Sequence, residues 1–137
     1  MVRIPYIPSN ALTWICMCFL AAQPIVICAQ SEALFTNASA LANVDESGLH
    51  HAAAVADFDG DGWEDIYVAT KQGINRLFRN TGGMHFEEVA EAAGVNDAGN
   101  SNAALWADFN NDGWPDLVTG NYLNANRLYI NNGEVAS

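Results

Sequence analysis

Acidic and amide side chains at alternating positions mark two short stretches of this chain as candidate cation sites. Residues 57–65 have the sequence DFDGDGWED, and residues 108–116, which follow at an offset of fifty-one, have the sequence DFNNDGWPD. Both stretches carry an acidic or amide residue at positions 1, 3, 5 and 9 and a glycine at position 6. Calcium takes six to eight oxygen ligands at about 2.3–2.6 Å, and a loop supplies them from alternate side chains. These two stretches, the first loop and the second loop, therefore predict two Ca²⁺ sites.

Each predicted site uses four side chains and one backbone carbonyl. The glycine at position 6 permits a turn that a β-carbon would hinder, and this turn brings the groups at positions 7 and 9 to the ion. Because Asn110 is neutral, we expect the second site to bind calcium more weakly than the first. The predicted ligands are Asp57, Asp59, Asp61, the carbonyl of Trp63 and Asp65 in the first loop, and Asp108, Asn110, Asp112, the carbonyl of Trp114 and Asp116 in the second.

Two other interpretations of the loops were weighed. Ordinary turns also use Asp, Asn and Gly, but unselected turns need not repeat a ligand spacing. An EF-hand requires a bidentate Glu at position 12, where this chain has Val68 and Thr119. The short apolar runs on either side of the first loop, residues 52–56 and 66–69, have the length of strands and are too short for the EF-hand helices. We therefore expect each loop to join two strands.

The offset of fifty-one extends without a gap well beyond the loops, which indicates a repeat architecture. Residues 75–77 match residues 126–128, and Asn80 and Gly82 match Asn131 and Gly133. In one repeat we predict four short strands near residues 52–56, 65–70, 75–80 and 84–89, followed by one helical turn that ends at Gly94. Four antiparallel strands joined by polar turns are typical of a β-propeller blade. The predicted fold class is all-β, with calcium-binding hairpin loops in an incomplete propeller.

Several repeated side chains outside the ligand set are predicted to be structural. Phe58, Phe109, Trp63 and Trp114 are expected in the core or between blades, and carbohydrate stacking is the less favoured alternative. The repeated arginines, Arg76 and Arg127, are expected to hydrogen-bond at a blade edge or to pair with neighbouring carboxylates.

The first twenty-nine residues have the features of a secretory signal peptide. One basic residue, Arg3, precedes an apolar core at residues 11–22, and a small residue, Ala29, precedes the expected cleavage site. A membrane anchor is the alternative, but Gln23 and Pro24 interrupt the apolar run before the ~20 residues that a span needs. All three cysteines lie in this segment, so the mature chain has no disulfide. The predicted divisions are 1–29 signal peptide, 30–84 first repeat and 85–137 second repeat, which lacks its last strand.

The expected mature chain is strongly acidic. It holds sixteen acidic and four basic residues, a net charge of −12, and half of the acids lie in the two loops. Nucleic acid is an improbable partner because no basic patch is present to neutralise phosphates. Membrane insertion after signal cleavage is not expected either. Secretion, or export to the periplasm or cell envelope, is the predicted localisation.

The first loop with its flanks, residues 56–66, and the segment NRLFRNTG at residues 75–82 resemble the FG-GAP/VCBS repeat family. Within that family the similarity is to ASPIC/UnbV-type and cartilage-acidic-protein-like repeat proteins and, more distantly, to the integrin α propeller. The resemblance implies a propeller with a calcium ion in each such hairpin loop. A closed propeller takes four to eight blades. With about two repeats, this sequence is expected to be a truncated or incomplete chain.

Three functions remain open from the sequence. We favour a calcium-stabilised extracellular module without enzymatic activity, which binds protein or polysaccharide partners. The first alternative is the N-terminal part of a larger exported propeller enzyme, for example one that acts on polysaccharide. The second alternative is an acidic calcium buffer, which the paired apolar strands disfavour because a buffer does not need a packed blade.

Overall fold

The structure is a computed structural model that describes residues 33–134. Every element below lies in the compact unit that spans Thr36–Ser137. The elements in chain order are α1 (Ser39–Ala42), β1 (His50–Ala56), β2 (Asp65–Thr70), β3 (Arg76–Asn80), β4 (Phe86–Glu88), β5 (Ser101–Ala107), β6 (Asp116–Asn121) and β7 (Arg127–Tyr129).

The strands form two antiparallel meanders with the same plan. The first sheet has the order β1-β2-β3-β4, and the second has the order β5-β6-β7 within the described residues. In each sheet the candidate loop joins the first two strands, and the residues on its two sides pair directly, Ala56 with Asp65 and Ala107 with Asp116. The all-β prediction and the four predicted strands of one repeat are confirmed, and an incomplete propeller fits the two sheets.

The two sheets share a distortion as well as an order. The register of β1 and β2 shifts between His50 and Ala52, and that of β5 and β6 shifts between Ser101 and Ala103. The extra residue is His51 in β1 and Asn102 in β5, and these two positions are equivalent at the offset of fifty-one. A bulge increases the local twist of a strand, so the repeat reproduces its curvature as well as its ligand spacing.

A single helical turn precedes each sheet. In the turn before the second sheet, Ala93 N–H donates to the Val89 carbonyl at 2.8 Å, and Gly94 ends the turn at φ 72°. The predicted turn is therefore confirmed. Its counterpart before the first sheet is α1, which Asn43 ends at φ 62°, a left-handed conformation that Asn tolerates better than most residues.

The apolar core lies between the two sheets. Tyr67 and Leu77 of the first sheet are buried together with Val95 and with Leu117 of the second sheet. Trp106 of β5 contributes an edge-on ring contact with Tyr67 at a centroid distance of 6.2 Å. Neither sheet could bury its inner face alone, so each repeat depends on its neighbour for stability.

A buried asparagine joins the sheets through polar contacts. The side-chain oxygen of Asn75 accepts from Thr70 N–H at 2.8 Å, and its Nδ2 donates to Ser101 Oγ of the second sheet at 2.7 Å. Asn75 N–H donates to the Asp97 carbonyl at 2.9 Å. Because Asn75 is fully buried, each of these bonds replaces a contact with water, and removing one partner would leave an unsatisfied group.

The repeated arginines pair with carboxylates, as the sequence predicts. Arg76 lies 3.6 Å from a carboxylate oxygen of Glu46 and of Glu88, and Arg127 lies 2.8 Å from Asp97. The pairs of Arg76 are partly exposed and contribute little to stability. The side chain of Asp97, by contrast, is nearly buried beside the exposed Arg127.

The predicted signal peptide, residues 1–29, falls outside the described residues. Strand β4 follows the predicted repeat boundary after residue 84 and pairs with β3 of the first sheet. The division of the chain into repeats stays a prediction. Over residues 33–134, no helix has the length and apolar character required to cross a membrane.

Candidate metal centre

The two candidate loops turn at glycines, as their sequences predict. Gly62 has φ 89° and Gly113 has φ 95°, values that a residue with a β-carbon rarely adopts. The turn at position 6 lets the chain reverse between β1 and β2 in the first repeat and between β5 and β6 in the second.

The aspartate at position 1 organises each loop. One carboxylate oxygen of Asp57 accepts from Gly60 N–H at 2.8 Å and Asp61 N–H at 3.1 Å, and the other accepts from Gly62 N–H at 2.9 Å. In the second loop, Asp108 accepts from the amides of residues 112 and 113 at 3.1 and 2.9 Å. Backbone amides that converge on one carboxylate fix the conformation of the loop.

Three carboxylates of the first loop converge on one point. Oxygens of Asp57, Asp59 and Asp61 lie within 4.8 Å of one another. Oxygens at 2.3–2.6 Å from one calcium ion are separated by at most about 5 Å, so this group fits around one ion. The donor set is all oxygen and partly exposed, which suits a hard cation such as Ca²⁺. An Asp triad that could hold a metal ion is therefore present in the first loop.

The second loop contains the same turn with a different side chain at position 3 of the predicted ligand set. Asp112 accepts from Trp114 N–H at 2.9 Å, as Asp61 accepts from Trp63 N–H at 2.8 Å. Asn110, however, donates from Nδ2 to the second oxygen of Asp112 at 2.7 Å. A cation would have to displace this contact to reach that oxygen, because the amide nitrogen cannot act as a ligand. This hydrogen bond supports the prediction that the second site binds calcium more weakly than the first.

The aspartate at position 9 lies beneath each loop and ties it to the sheet. Asp65 is fully buried, and its carboxylate accepts from Phe58 N–H at 3.1 Å and from Asn80 N–H of β3 at 2.7 Å. Asp116, also fully buried, accepts in the same way from Phe109 and Asn131 at 2.9 and 2.8 Å. The clustered triad does not include Asp65, which closes the loop in this structure. Its role as a ligand remains a prediction, as do the carbonyls of Trp63 and Trp114.

Burial raises the pKa of the Asp65 carboxyl from 3.8 to about 6. The backbone donors, Asn80 and Phe58, oppose this shift, and the negative charges of Asp59 and Asp61 add to it. The first loop thus concentrates negative charge around a desolvated carboxyl. A bound divalent cation would supply the compensating positive charge.

The sequence reasoning did not give a role to Asn80 and Asn131, which complete the loops from outside. Asn80 Nδ2 donates to the carbonyl of Glu64 at 3.2 Å, and Asn131 Nδ2 donates to the carbonyl of Pro115 at 3.2 Å. Both bonds are made to position 8 of the loop. The signal was present in the repeat, since the two asparagines match at the offset of fifty-one.

The second repeat also reaches the first loop directly. Asn131 Nδ2 donates to the carbonyl of Phe58, position 2 of the first loop, at 2.8 Å. The indole of Trp114 covers Gly60, where a β-carbon would lie 2.8 Å from Cζ3. The ring of Phe58 stacks on Trp106 at 6.4 Å. The predicted packing roles are thus met by Phe58 and Trp114.

The remaining two repeated aromatic residues are more exposed. Phe109 is 48% and Trp63 is 52% exposed. Trp63 lies near Gly82 of its own repeat, where a β-carbon would lie 3.6 Å from the indole. The packing prediction is therefore wrong for Phe109 and only partly met by Trp63.

A histidine–threonine contact in the first sheet is structural. His50 Nδ1 lies 3.3 Å from Thr70 Oγ1. The matching positions of the second repeat are Ser101 and Asn121, and Ser101 Oγ donates to Asn121 Oδ1 at 2.7 Å. A polar side-chain contact thus closes the end of the strand pair in both repeats, with an imidazole in the first repeat alone.

Part of the chain is similar to known repeat proteins. Residues 57–119 match the family model described as FG-GAP-like repeat. The chain is 40% identical to cartilage acidic protein 1 from Mus musculus and, equally, to that from Homo sapiens. Each alignment covers 67 residues, which is 48% of this chain and 10% of the relative. The protein of the same name from Xenopus tropicalis is 37% identical over 75 residues, 52% of this chain and 12% of the relative. The chain thus spans about a tenth of the length of these relatives.

Proposed function

We propose, from the match of residues 57–119 to the FG-GAP-like repeat model, that this chain is an extracellular repeat module whose hairpin loops bind structural calcium. The observation that carries the proposal is the convergence of Asp57, Asp59 and Asp61 within 4.8 Å. The second loop repeats the fold of the first and offers Asp108, Asn110 and Asp112 at the same positions.

The ions have a structural role in this proposal. Each loop joins two strands, and its position-9 aspartate holds the third strand through Asn80 or Asn131. An ion bound between the tip and base of the loop would fix that three-strand junction. Calcium supplies a large local positive charge, and the ten ligand groups predicted from the sequence would hold the two ions. Dissociation constants of about 10⁻⁴–10⁻³ M are typical of extracellular calcium modules, and we expect values in that range.

Export and partner binding belong to the same proposal. The charge order and apolar core of the first twenty-nine residues support secretion, or export to the cell envelope. Repeat modules present extended surfaces to partners, and the acidic surface disfavours nucleic acid. Protein or polysaccharide is therefore the proposed partner class, and no reaction is assigned to the chain.

Thermal unfolding with and without calcium tests the proposal. A ligand that binds only the folded state at one hundred times its dissociation constant stabilises it by about 2.7 kcal/mol per site. We expect millimolar calcium to raise the midpoint of the full chain, and Asp59→Ala or Asp112→Ala to reduce the rise. Glu64→Ala, an exposed acid outside the ligand set, is the matched control and should keep the full rise. A midpoint that calcium leaves unchanged would overturn the proposal.

A further inference from the structure

Asn131 differs from its repeat counterpart in one contact. Asn80 and Asn131 both donate to the position-8 carbonyl of their own loop at 3.2 Å, and both accept from a glycine N–H at 3.0 Å. Asn131 alone of the two also donates to the carbonyl of Phe58 in the other repeat, at 2.8 Å. The backbone N–H of Asn131 donates to the carboxylate of Asp116, at position 9 of the second loop, at 2.8 Å. One residue therefore touches both loops.

A second contact between the loops is independent of the first. Position 4 of the first loop is Gly60, at φ 72°, and position 4 of the second loop is Asn111, at φ 61°. The backbone conformation is the same, and the second loop accommodates a side chain there. The first loop has no such room, because a β-carbon at Gly60 would lie 2.8 Å from Cζ3 and 3.0 Å from Cη2 of Trp114. The indole thus covers the first loop at the residue between Asp59 and Asp61.

We propose that the calcium site of the first loop is a composite site, in which Asn131 and Trp114 of the second repeat are positioning residues. Asn131 holds the backbone at position 2, between Asp57 and Asp59, and Trp114 holds it at position 4, between Asp59 and Asp61. The second repeat therefore holds the backbone of the first loop on both sides of Asp59, at positions 2 and 4. This inference rests on the proposed function, since it assigns residues that tune a calcium site.

The composite arrangement couples the two ions. Trp114 also supplies the proposed position-7 carbonyl of the second site, and Asn131 hydrogen-bonds its position-9 ligand, Asp116. An ion in the second loop orders both residues, and these residues then order the first loop. By linkage, the first ion must raise the affinity of the second loop by the same factor. The two sites are predicted to bind calcium with positive cooperativity.

Calcium titration by calorimetry on the full chain tests the composite site. Asp112→Asn weakens the second site and keeps an acceptor for Trp114 N–H, so binding in this background reports on the first loop. Adding Asn131→Ala should lower the first-loop affinity roughly three- to tenfold, the loss expected for one hydrogen bond. The control is the mirror-image pair. In the Asp59→Asn background, Asn80→Ala should leave the second-loop affinity unchanged, because the side-chain contacts of Asn80 stay within its own repeat.

The outcomes separate this inference from the proposed function. If wild-type protein binds no calcium, the proposed function fails and the inference fails with it. If calcium binds and Asn131→Ala leaves the first-loop affinity unchanged, the inference alone is overturned. Circular dichroism checks that each variant is folded. If Asn131→Ala is unfolded, Trp114→Phe decides the question. Trp114→Phe should lower the calcium affinity of the first loop, whereas Trp63→Phe should leave the calcium affinity of the second loop unchanged. Equal losses of affinity in the two variants would overturn the inference.

Discussion

The two loops have the same backbone and different surroundings. Both loops turn at the glycine at position 6, and in both the aspartate at position 1 accepts hydrogen bonds from the backbone of the loop. A buried aspartate at position 9 lies beneath each loop. The first loop has three aspartates at its tip and lies against Trp114 and Asn131 of the next repeat. In the second loop an amide replaces one of the three carboxylates, and Phe109 is about half exposed.

This difference shows which properties belong to one repeat and which belong to a pair. Strand pairing, turn geometry and the buried aspartate recur at each repeat, so they arise from contacts inside it. The covering of the loop tip occurs where a second repeat follows within the described residues. The predictions below test that division, beginning with the largest expected effect.

Replacing either buried aspartate should cause the largest loss of unfolding free energy, and the two losses should be equal. Asp65→Ala or Asp116→Ala removes the acceptor of two backbone N–H groups that tie the loop to the sheet. Charge-assisted hydrogen bonds contribute about 1.5–3 kcal/mol each, so we expect a loss of about 3–6 kcal/mol in unfolding free energy. Urea denaturation without calcium measures it. Glu64→Ala is the control, and a loss as small as that of the control would contradict the account.

The raised pKa of Asp65 predicts how stability depends on pH in the calcium-free protein. Its carboxyl binds a proton more tightly in the folded chain, where its pKa is about 6, than in the unfolded chain, where its ordinary pKa of 3.8 applies. Stability should therefore fall as the pH rises from about 4 to 6, because the unfolded chain releases this proton first. Thermal midpoints at pH 4.5 and 7 measure the fall. Asp65→Asn should flatten it, and an equal fall in the variant would show that other carboxyls cause it.

Exchanging the residues at loop position 4 should affect the two loops unequally. Gly60→Asn keeps a residue that tolerates positive φ, but its β-carbon collides with Trp114, and overpacking of this kind costs about 1–3 kcal/mol. Asn111→Gly removes a side chain that nothing covers and should cost less than about 1 kcal/mol. Denaturation midpoints compare them. Trp114→Ala should relieve the cost of Gly60→Asn, and additive effects of the two changes would argue against the collision.

The smallest expected effect is a gain in stability in the second sheet. Thr119 is fully buried, and its hydroxyl has no hydrogen-bond partner in the described part of the chain. The matching residue of the first repeat is Val68. Thr119→Val should raise the unfolding free energy by about 1 kcal/mol, because it removes an unsatisfied polar group at nearly constant volume. Val68→Thr is the reverse control, and a thermal midpoint lowered by Thr119→Val would contradict the account.

Much of one repeat could be predicted from the sequence, because its determinants are local. Alternating acids with Gly62 specified the loop, short apolar runs specified the strands, and Gly94 specified the end of the turn. The fourth strand, β4, was found from a run with turn signals before it. These features depend on backbone sterics and on pairing between neighbouring segments, which a periodic sequence displays twice.

The contacts between repeats could not be predicted in this way. The collision of a β-carbon at Gly60 with Trp114, and the bond from Asn131 to Phe58, depend on how one sheet docks on the next. The offset of fifty-one shows which positions are equivalent, but it does not show which positions of adjacent repeats meet. The hydrogen bond from Asn80 N–H to Asp65 has a similar origin, because its donor comes from another strand.

The most direct test of the account is the number of calcium ions that the full chain binds. Calorimetric titration of wild-type protein should show two ions, with a higher affinity at the first loop. Asp59→Ala and Asp112→Ala should each leave one ion, and the double variant should leave none. A wild-type chain that binds no calcium, or a double variant that still binds two ions, would contradict the central claim that these two loops are the cation sites.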